Sequence, residues 1–259
     1  MRILVTGNRG LIGSKICEKL KLLHEVVGVD KDNFVECLYN FYGEPFDLII
    51  HCGANCIIRN IIKNPSLVME NIDSTFLVME FARRTGCKKV ILFSSSRVEH
   101  KEENPYTTGK KFVENIAEAY KQCYGIDYLI IRPETVWGPN DNLKRVIPKW
   151  IKAALNNEKI IVYGNKYKTL PPIHVDDFTD YFMVYFNTFN NFKNKIIKIT
   201  GKELLVTKII DLIKKYTSSK SKVVFKNVEL SQPQRQSSTN ADVLCISNNF
   251  ENRLKEVLK

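Results

Sequence analysis

Tyr106 and Lys110 stand four residues apart in Tyr106-Thr107-Thr108-Gly109-Lys110, a spacing that puts a phenol and an ammonium on one helix face, one turn from each other. A free tyrosine ionises near pH ~10 and is a poor base, but a fixed cation at roughly 4–6 Å favours the phenolate and lowers that value. Such a phenol can exchange a proton with a substrate hydroxyl, while the lysine can reach a ribose lying beside it. Ser94-Ser95-Ser96 follows the apolar run Lys89 to Phe93. A serine hydroxyl there can hydrogen-bond a reacting oxygen as it gains or loses its proton.

A second group of residues points to a dinucleotide. Thr6-Gly7-Asn8-Arg9-Gly10-Leu11-Ile12-Gly13-Ser14 lies between an apolar run and an amphipathic one, with the spacing G-x-x-G-x-x-G. Gly7 permits the tight turn, Gly10 lets backbone approach a pyrophosphate, and Gly13 lets the helix pack closely on the strand. The helix that opens at Leu11 and Ile12 turns free N–H groups and the positive end of its dipole towards the phosphates. Asp30, after Glu25-Val26-Val27-Gly28-Val29, is placed to accept hydrogen bonds from the adenosine ribose, which favours NAD. Arg9 and Lys31 can instead pair with a ribose phosphate, which keeps NADP as the alternative.

These residues need a scaffold, and the chain supplies one by alternation. Ile3 to Val5, Glu25 to Val29, Asp47 to His51, Lys89 to Phe93 and Asp127 to Arg132 read as strands; Ser14 to Leu23, Pro65 to Thr85 and Tyr106 to Tyr124 read as helices. Strand and helix in turn predict an α/β fold, a Rossmann-type doubly wound parallel sheet, whose ligands bind at the carboxyl ends of the strands. After Arg132-Pro133 a turn cluster, Trp137 to Asp141, opens a smaller C-terminal substrate-binding lobe with a helix from Val146 to Asn156. Residues 1–132 with about 172–200 are expected to form the NAD(P)-binding unit, and about 133–171 with 201–259 the lobe. The tail is expected to hold a helix from Val206 to Tyr216, a strand at Val223 to Phe225, a polar loop from Ser231 to Asn240 and a last short helix.

With these pieces together the chain resembles the extended short-chain dehydrogenase/reductases, the nucleotide-sugar epimerase/dehydratase family. The resemblance is carried by Thr6 to Gly13, Asp47 to Ala54, Asn71 to Thr75, the three serines, Tyr106 to Lys110, Arg132 to Pro139 and Ile173 to Asp177. It implies that Cys52, Gly53, Ala54, Asn71, Ser94 and Pro133 lie at the cofactor, that Ser95, Ser96 and Thr135 lie at the substrate, and that the lobe holds a nucleotide diphosphate. Counting back from Val98 makes Ser95 the catalytic hydroxyl, with Ser96 as runner-up, beside Tyr106 and Lys110. It also implies a homodimer paired through the helices at Pro65 to Thr85 and Tyr106 to Tyr124.

Departures from the family pattern narrow the activity. Ser96 and Arg97 stand where the 4,6-dehydratases carry acidic residues, which argues against dehydration. Leu170 stands where related epimerases have an arginine, so Arg235, Lys168 and Lys166 become candidates for the diphosphate, against a solvated basic face for the lysines. Val98-Glu99-His100 replaces the usual Val-Tyr-Gly, and the stretch from Asp30 to Asp47 is short, so the usual third strand with its acidic residue is expected to be missing or reduced. His100 and His174 are weaker candidates for bases. The expected activity is nucleotide-sugar epimerisation by transient hydride transfer; the alternatives are keto-sugar reduction by NAD(P)H and a non-catalytic cofactor-sensing or RNA-binding role.

Composition bounds the rest. At 44% hydrophobic and 26% charged residues the sequence is that of a globular protein. No apolar run approaches the ~20 residues that cross a bilayer, and Met1 leads straight into the first strand, so neither a membrane span nor a signal peptide is expected. Seven scattered cysteines suggest no disulfide framework and no metal site, and hence a cytoplasmic protein. The net charge of +11 comes from dispersed lysines rather than a dense basic run, which argues against nucleic acid as a partner.

Overall fold

The computed structural model describes residues 1–100, 103–139, 141, 145–228, 240–247 and 249–259. Strands β1 (Arg2–Thr6), β2 (Glu25–Val29), β3 (Leu48–His51), β4 (Lys89–Phe93) and β5 (Asp127–Pro133) alternate with helices α1 (Leu11–Leu20), α2 (Phe34–Asn40), α3 (Ile58–Lys63), α4 (Leu67–Thr85) and α5 (Pro105–Tyr124). There follow β6 (Thr135–Trp137), α6 (Val146–Leu155), β7 (Ile160–Tyr163), β8 (Thr169–Leu170), β9 (Pro172–His174), α7 (Val175–Asn187) and α8 (Phe189–Phe192). The last elements are β10 (Lys195–Gly201), β11 (Leu204–Leu205), α9 (Val206–Thr217), β12 (Val223–Lys226), β13 (Asp242–Ile246) and α10 (Phe250–Val257).

Seven parallel strands form the central sheet in the order β13-β10-β5-β4-β3-β1-β2. The doubly wound parallel sheet expected from the alternation is therefore present. Its strands read as nearly unbroken apolar runs because both faces are covered. On one face Ile3, Val5, Ile50, Ile91 and Ile131 pack with Ile16 and Leu20 of α1 and Phe178, Phe182 and Phe186 of α7. On the other, Leu4, Ile49, Val90, Leu92 and Ile130 pack with Val78, Met79 and Ala82 of α4 and Val113 and Ala117 of α5. A third cluster joins Trp137, Trp150, Ile160, Val206, Ile210 and Phe250, all from elements that follow β5.

From β1 the chain steps to β2 on one side and to β3 on the other, so the strand order reverses at β1 and opens a crevice at the carboxyl ends of β1 and β3. Between β2 and β3 lies the helix α2, with no strand, as the shortness of that stretch predicts. β13 returns from the tail to pair with β10 at the far edge, Ile197 opposite Asp242 and Gly201 opposite Ile246. No helix among the described residues is long and apolar enough to cross a membrane.

Candidate active site

The crevice is built by close backbone approach. Gly7 takes a positive φ of 71°, and its N–H donates to Val29 O at 2.7 Å. A Cβ on Gly7 would lie 2.5 Å from Gly53 N, and one on Gly13 would lie 2.2 Å from Gly7 O. The turns after β1 and β3 therefore touch through glycine, and α1 starts hard against the loop. Gly10 N donates to Gly7 O at 3.0 Å, and Leu11 and Ile12 open α1 with Gly10 as its extended N-cap. The Gly10 side chain that is missing and the absence of any side-chain cap leave the first N–H groups of α1 to an anion.

Asp30 holds this loop from the end of β2, accepting from Arg9 N at 3.0 Å and from Lys31 N at 2.9 Å. The Arg9 guanidinium is paired with Asp32 and lies 3.6 Å from Asp30. Beneath the loop His51 runs between Thr6 Oγ1, 2.6 Å from Nδ1, and Thr75 Oγ1, 3.2 Å from Nε2. Burial, with Lys110 nearby, pushes the imidazole down to about 3, so it sits there neutral. Asn71, also on α4, accepts from Asn55 N at 2.6 Å and donates to Asn55 O at 3.0 Å, which fixes the segment that carries Cys52, Gly53 and Ala54. Burial raises the Cys52 thiol well above its ordinary value, so this side chain packs as a neutral group.

Helix α5 presents the tyrosine and the lysine because its start is well defined. Asn104 caps it by accepting from Thr107 N at 3.2 Å, Thr107 Oγ1 accepts from Asn104 N at 3.0 Å, and Pro105 occupies the first turn. Tyr106 then lies in the first turn, where the helix dipole favours negative charge. Gly109, between the two functional residues, lets α5 approach α4: a Cβ there would come 2.5 Å from Cγ2 of Val68.

Tyr106, Lys110 and Ser95 are all buried, at 6%, 4% and 7% exposure. Lys110 Nζ donates to Phe93 O at 2.8 Å, which ties α5 to the end of β4. Ser95 is a hydrogen-bonding neighbour of the phenol in the sense that favours its ionised form. Burial is the largest influence on Tyr106 and raises it above the usual tyrosine value; Cys56 works in the same direction, while Ser95, Arg97 and Arg145 oppose it. Lys110 is pushed down by burial.

The other predicted residues divide. Ser94 Oγ donates to Glu114 Oε1 at 2.6 Å, so its hydroxyl serves a buried ionic cluster. In that cluster Glu114 binds Arg132 through two bonds of 2.8 and 2.7 Å, and Arg132 also reaches Glu99 at 3.2 Å and Asn240 at 2.8 Å. Lys198 joins it by a 2.7 Å bond to Glu99. Ser96 is buried at the start of the short turn Ser96–Glu99. Pro133 closes β5, and Thr135 on β6 pairs with Pro172 of β9. Lys168 Nζ donates to Tyr163 O at 2.9 Å, and the Lys166 ammonium sits 5.2 Å from the Tyr167 ring centre. Arg235 lies outside the described residues. His174 is buried, its Nδ1 accepts from Asp176 N at 3.3 Å, and burial lowers its pKa. Among the described residues no group of three or more His, Cys, Asp or Glu is arranged to hold a metal ion. Sequence reasoning missed Arg145 and Cys56, which act on Tyr106 from distant parts of the chain, and Glu114, whose only local signal is its place one turn after Lys110.

The profile of the NAD dependent epimerase/dehydratase family matches residues 3–200. The chain belongs to this family. Members of the epimerase/dehydratase family similar to it include a candidate UDP-glucose 4-epimerase of Methanocaldococcus jannaschii, 28% identical over 82% of this chain and 81% of that protein. Among solved structures, the UDP-glucose 4-epimerase of Thermotoga maritima with UDP-glucose superposes with a TM-score of 0.82 at 18% identity, covering 100% of this chain and 97% of that one. The UDP-glucuronic acid 4-epimerase of Bacillus cereus with UDP-glucuronic acid and NAD gives 0.80 at 19% identity, covering 100% and 96%. At these identities the structural likeness speaks for the fold.

Proposed function

We propose that the chain is an NAD-dependent nucleotide-sugar epimerase that works by transient hydride transfer at a sugar carbon, with Ser95, Tyr106 and Lys110 as its catalytic group. The observation that carries this reading is the hydrogen bond between Ser95 and Tyr106, with Lys110 tied to the end of β4, near a glycine turn that leaves no room for a Cβ at Gly7 or Gly13. The family match and the candidate UDP-glucose 4-epimerase among its relatives support it.

Gly7, Gly10, Leu11, Ile12 and Gly13 would hold the pyrophosphate of NAD, with Asp30 at the adenosine ribose. The cofactor supplies a hydride acceptor and donor when bound. Tyr106 takes the proton from a sugar hydroxyl and returns it, and Ser95 steadies the oxygen between the two states. Because burial raises the phenol, the charges and dipoles that oppose burial govern how readily it acts: Ser95, Arg97, Arg145 and the first turn of α5. Lys110 has Phe93 O as its acceptor and can exchange it for a ribose hydroxyl. The pairing of Arg9 with Asp30 and Asp32 favours NAD, since two carboxylates would face a 2′-phosphate.

The reading extends to organisation. Residues 1–132 with about 172–200 serve as the cofactor unit and the remainder as the substrate lobe, with β13 contributed back to the sheet. Exposed Met69 and Phe76 on α4 support a homodimer through α4 and α5, which light scattering would check. Seven free thiols support a reducing, cytoplasmic setting.

The test is incubation with UDP-, dTDP-, GDP- and CDP-sugars. The expected result is interconversion of epimers without net change in nicotinamide absorbance; net consumption of NAD(P)H would instead indicate a reductase. Tyr106→Phe should lower turnover by about 10²–10⁴-fold. Unaltered turnover in that variant would refute the mechanism.

A further inference from the structure

We infer that Glu99 is a positioning residue for the reaction: gripped by Arg132 and Lys198, its carboxylate fixes the turn that carries the Ser95 hydroxyl. This rests on the epimerase reading above and adds to it a residue that acts through Ser95 rather than on the substrate.

The serine turn is weakly held by its own bonds. Arg97 N donates to Ser95 Oγ at 3.2 Å, Val98 N to Ser95 O at 3.3 Å and His100 N to Arg97 O at 3.2 Å, all at the long end of the hydrogen-bond range. Its two ends are tied outward instead. Just before Ser95, Ser94 N donates to Ile131 O at 2.9 Å and Ser94 Oγ to Glu114 Oε1 at 2.6 Å. At the far end Glu99 accepts from Lys198 Nζ at 2.7 Å and from Arg132 Nη1 at 3.2 Å. Arg132 and Lys198 are paired across β5 and β10, so the loop that leaves β4 is fastened to the two strands beyond it.

Burial makes this anchor stiff. The Glu99 side chain is 5% exposed and that of Arg132 3%, so water does not stand in for a lost partner and charge is poorly screened. The Arg132 guanidinium also binds both carboxylate oxygens of Glu114, one helical turn after Lys110 on α5. A single guanidinium thus links the turn that carries Ser95 to the helix that carries Tyr106 and Lys110. Desolvation offsets much of what a buried ion pair contributes to stability, and a fixed geometry is the gain that remains. Nor does Lys198 depend on Glu99 for a carboxylate, since Glu134 lies 3.4 Å from it. Glu99 stands in Val98-Glu99-His100, where the family pattern has tyrosine, so an ionic anchor at this point belongs to this chain.

The experiment compares the full chain with its Glu99→Gln, Glu99→Asp, Lys198→Gln and Glu134→Gln variants. It measures kcat and KM with whichever of the UDP-, dTDP-, GDP- and CDP-sugars the wild type epimerises, NAD affinity by calorimetric titration, and Tm. Misplacing a reacting group by an ångström costs about 10²-fold, so Glu99→Gln should lower kcat by about 10–10²-fold, with KM held within about threefold and NAD affinity within about twofold. Glu99→Asp, which keeps the charge, should recover part of that loss. Glu134→Gln takes a carboxylate from the same cluster without touching the turn, and should keep kcat within about twofold whatever its Tm. Should Glu99→Gln fail to fold, Lys198→Gln, in which Arg132 still holds Glu99, carries the test with a kcat loss of about threefold or more. An unchanged kcat in a folded Glu99→Gln or, in its stead, Lys198→Gln would overturn the inference. So would equal kcat losses in Glu99→Gln and Glu134→Gln, or NAD affinity falling in step with kcat, since either would make the cluster a prop for the sheet. A wild type that epimerises none of these sugars would remove the epimerase reading itself, and this inference with it.

Discussion

Replacing Gly13 with alanine probes the cradle directly. The added Cβ would lie 2.2 Å from the Gly7 carbonyl oxygen and 2.9 Å from its carbon. Non-bonded carbon and oxygen stay about 3 Å or more apart, so α1 and the loop must separate by roughly 0.8 Å. The loop has little room to yield on its other side, because a Cβ on Gly7 would already lie 2.5 Å from Gly53 N. Overpacking of this kind costs about 1–3 kcal/mol, or a fall in Tm of roughly 2–12 °C for a chain of this size. The same shift moves the N–H groups of α1 off the pyrophosphate, and NAD affinity should drop about tenfold or more. Gly43→Ala is the control. Its φ of 92° makes alanine strained at a cost of about 1–3 kcal/mol, but nothing lies within 4 Å of its Cβ, so only stability should change. Thermal unfolding and calorimetric titration with NAD separate the two effects. If Gly13→Ala melts with the wild type and binds NAD within twofold of it, the argument from backbone contact is wrong.

Three further outcomes follow from the same geometry. His51 is neutral in the fold and its pKa is lowered to about 3, so its contribution to stability is complete above the unfolded value of ~6.5 and is lost as pH falls below it, at about 1.4 kcal/mol per pH unit. His174 acts in the same direction, and urea unfolding between about pH 5 and 6.5 should show a slope that His51→Asn reduces by that amount; an unchanged slope would contradict the burial argument. Glu114→Ala leaves Arg132 with Glu99 and Asn240 alone, and should cost about 2–4 kcal/mol in urea unfolding, whereas a loss under about 1 kcal/mol would show the cluster to be slack. The double variant Asp30→Ser/Asp32→Ser removes both carboxylates from Arg9, and should raise NADP affinity relative to NAD by about tenfold, read by titration with each; a ratio that stays put would place Arg9 away from the adenosine ribose.

Much of this arrangement is legible before any coordinates. The glycine turn, the Tyr106/Lys110 spacing and the sheet strands announce themselves because each is local: a tight turn, one helical turn, an apolar run. The helix start could have been placed one residue earlier, since Asn104-Pro105 is itself a cap and first-turn signal. What escapes is everything set by distant pairing. Ser94 gives no local sign that its acceptor is Glu114, twenty residues on, rather than a ligand. Arg145 reads as one more base in a basic chain until α6 carries it towards Tyr106. Asp242 to Ile246 is a five-residue run behind a polar stretch, and only its register against β10 makes it a sheet strand. Nor does a basic stretch show that Lys168 donates to Tyr163 O and that Lys166 lies by the Tyr167 ring.

The position of β13 bears on how the protein comes to be made. Its partner β10 ends at Gly201, so the row of amide and carbonyl groups along that edge waits for some forty residues of synthesis before Asp242 to Ile246 can cover it. During that interval a parallel strand with Ile197 and Ile199 at its heart offers a template to any extended segment nearby. A product cut short before Asp242 keeps every residue of the proposed catalytic trio, yet it carries this sticky border permanently, and its loss would be registered as aggregation sooner than as failed chemistry.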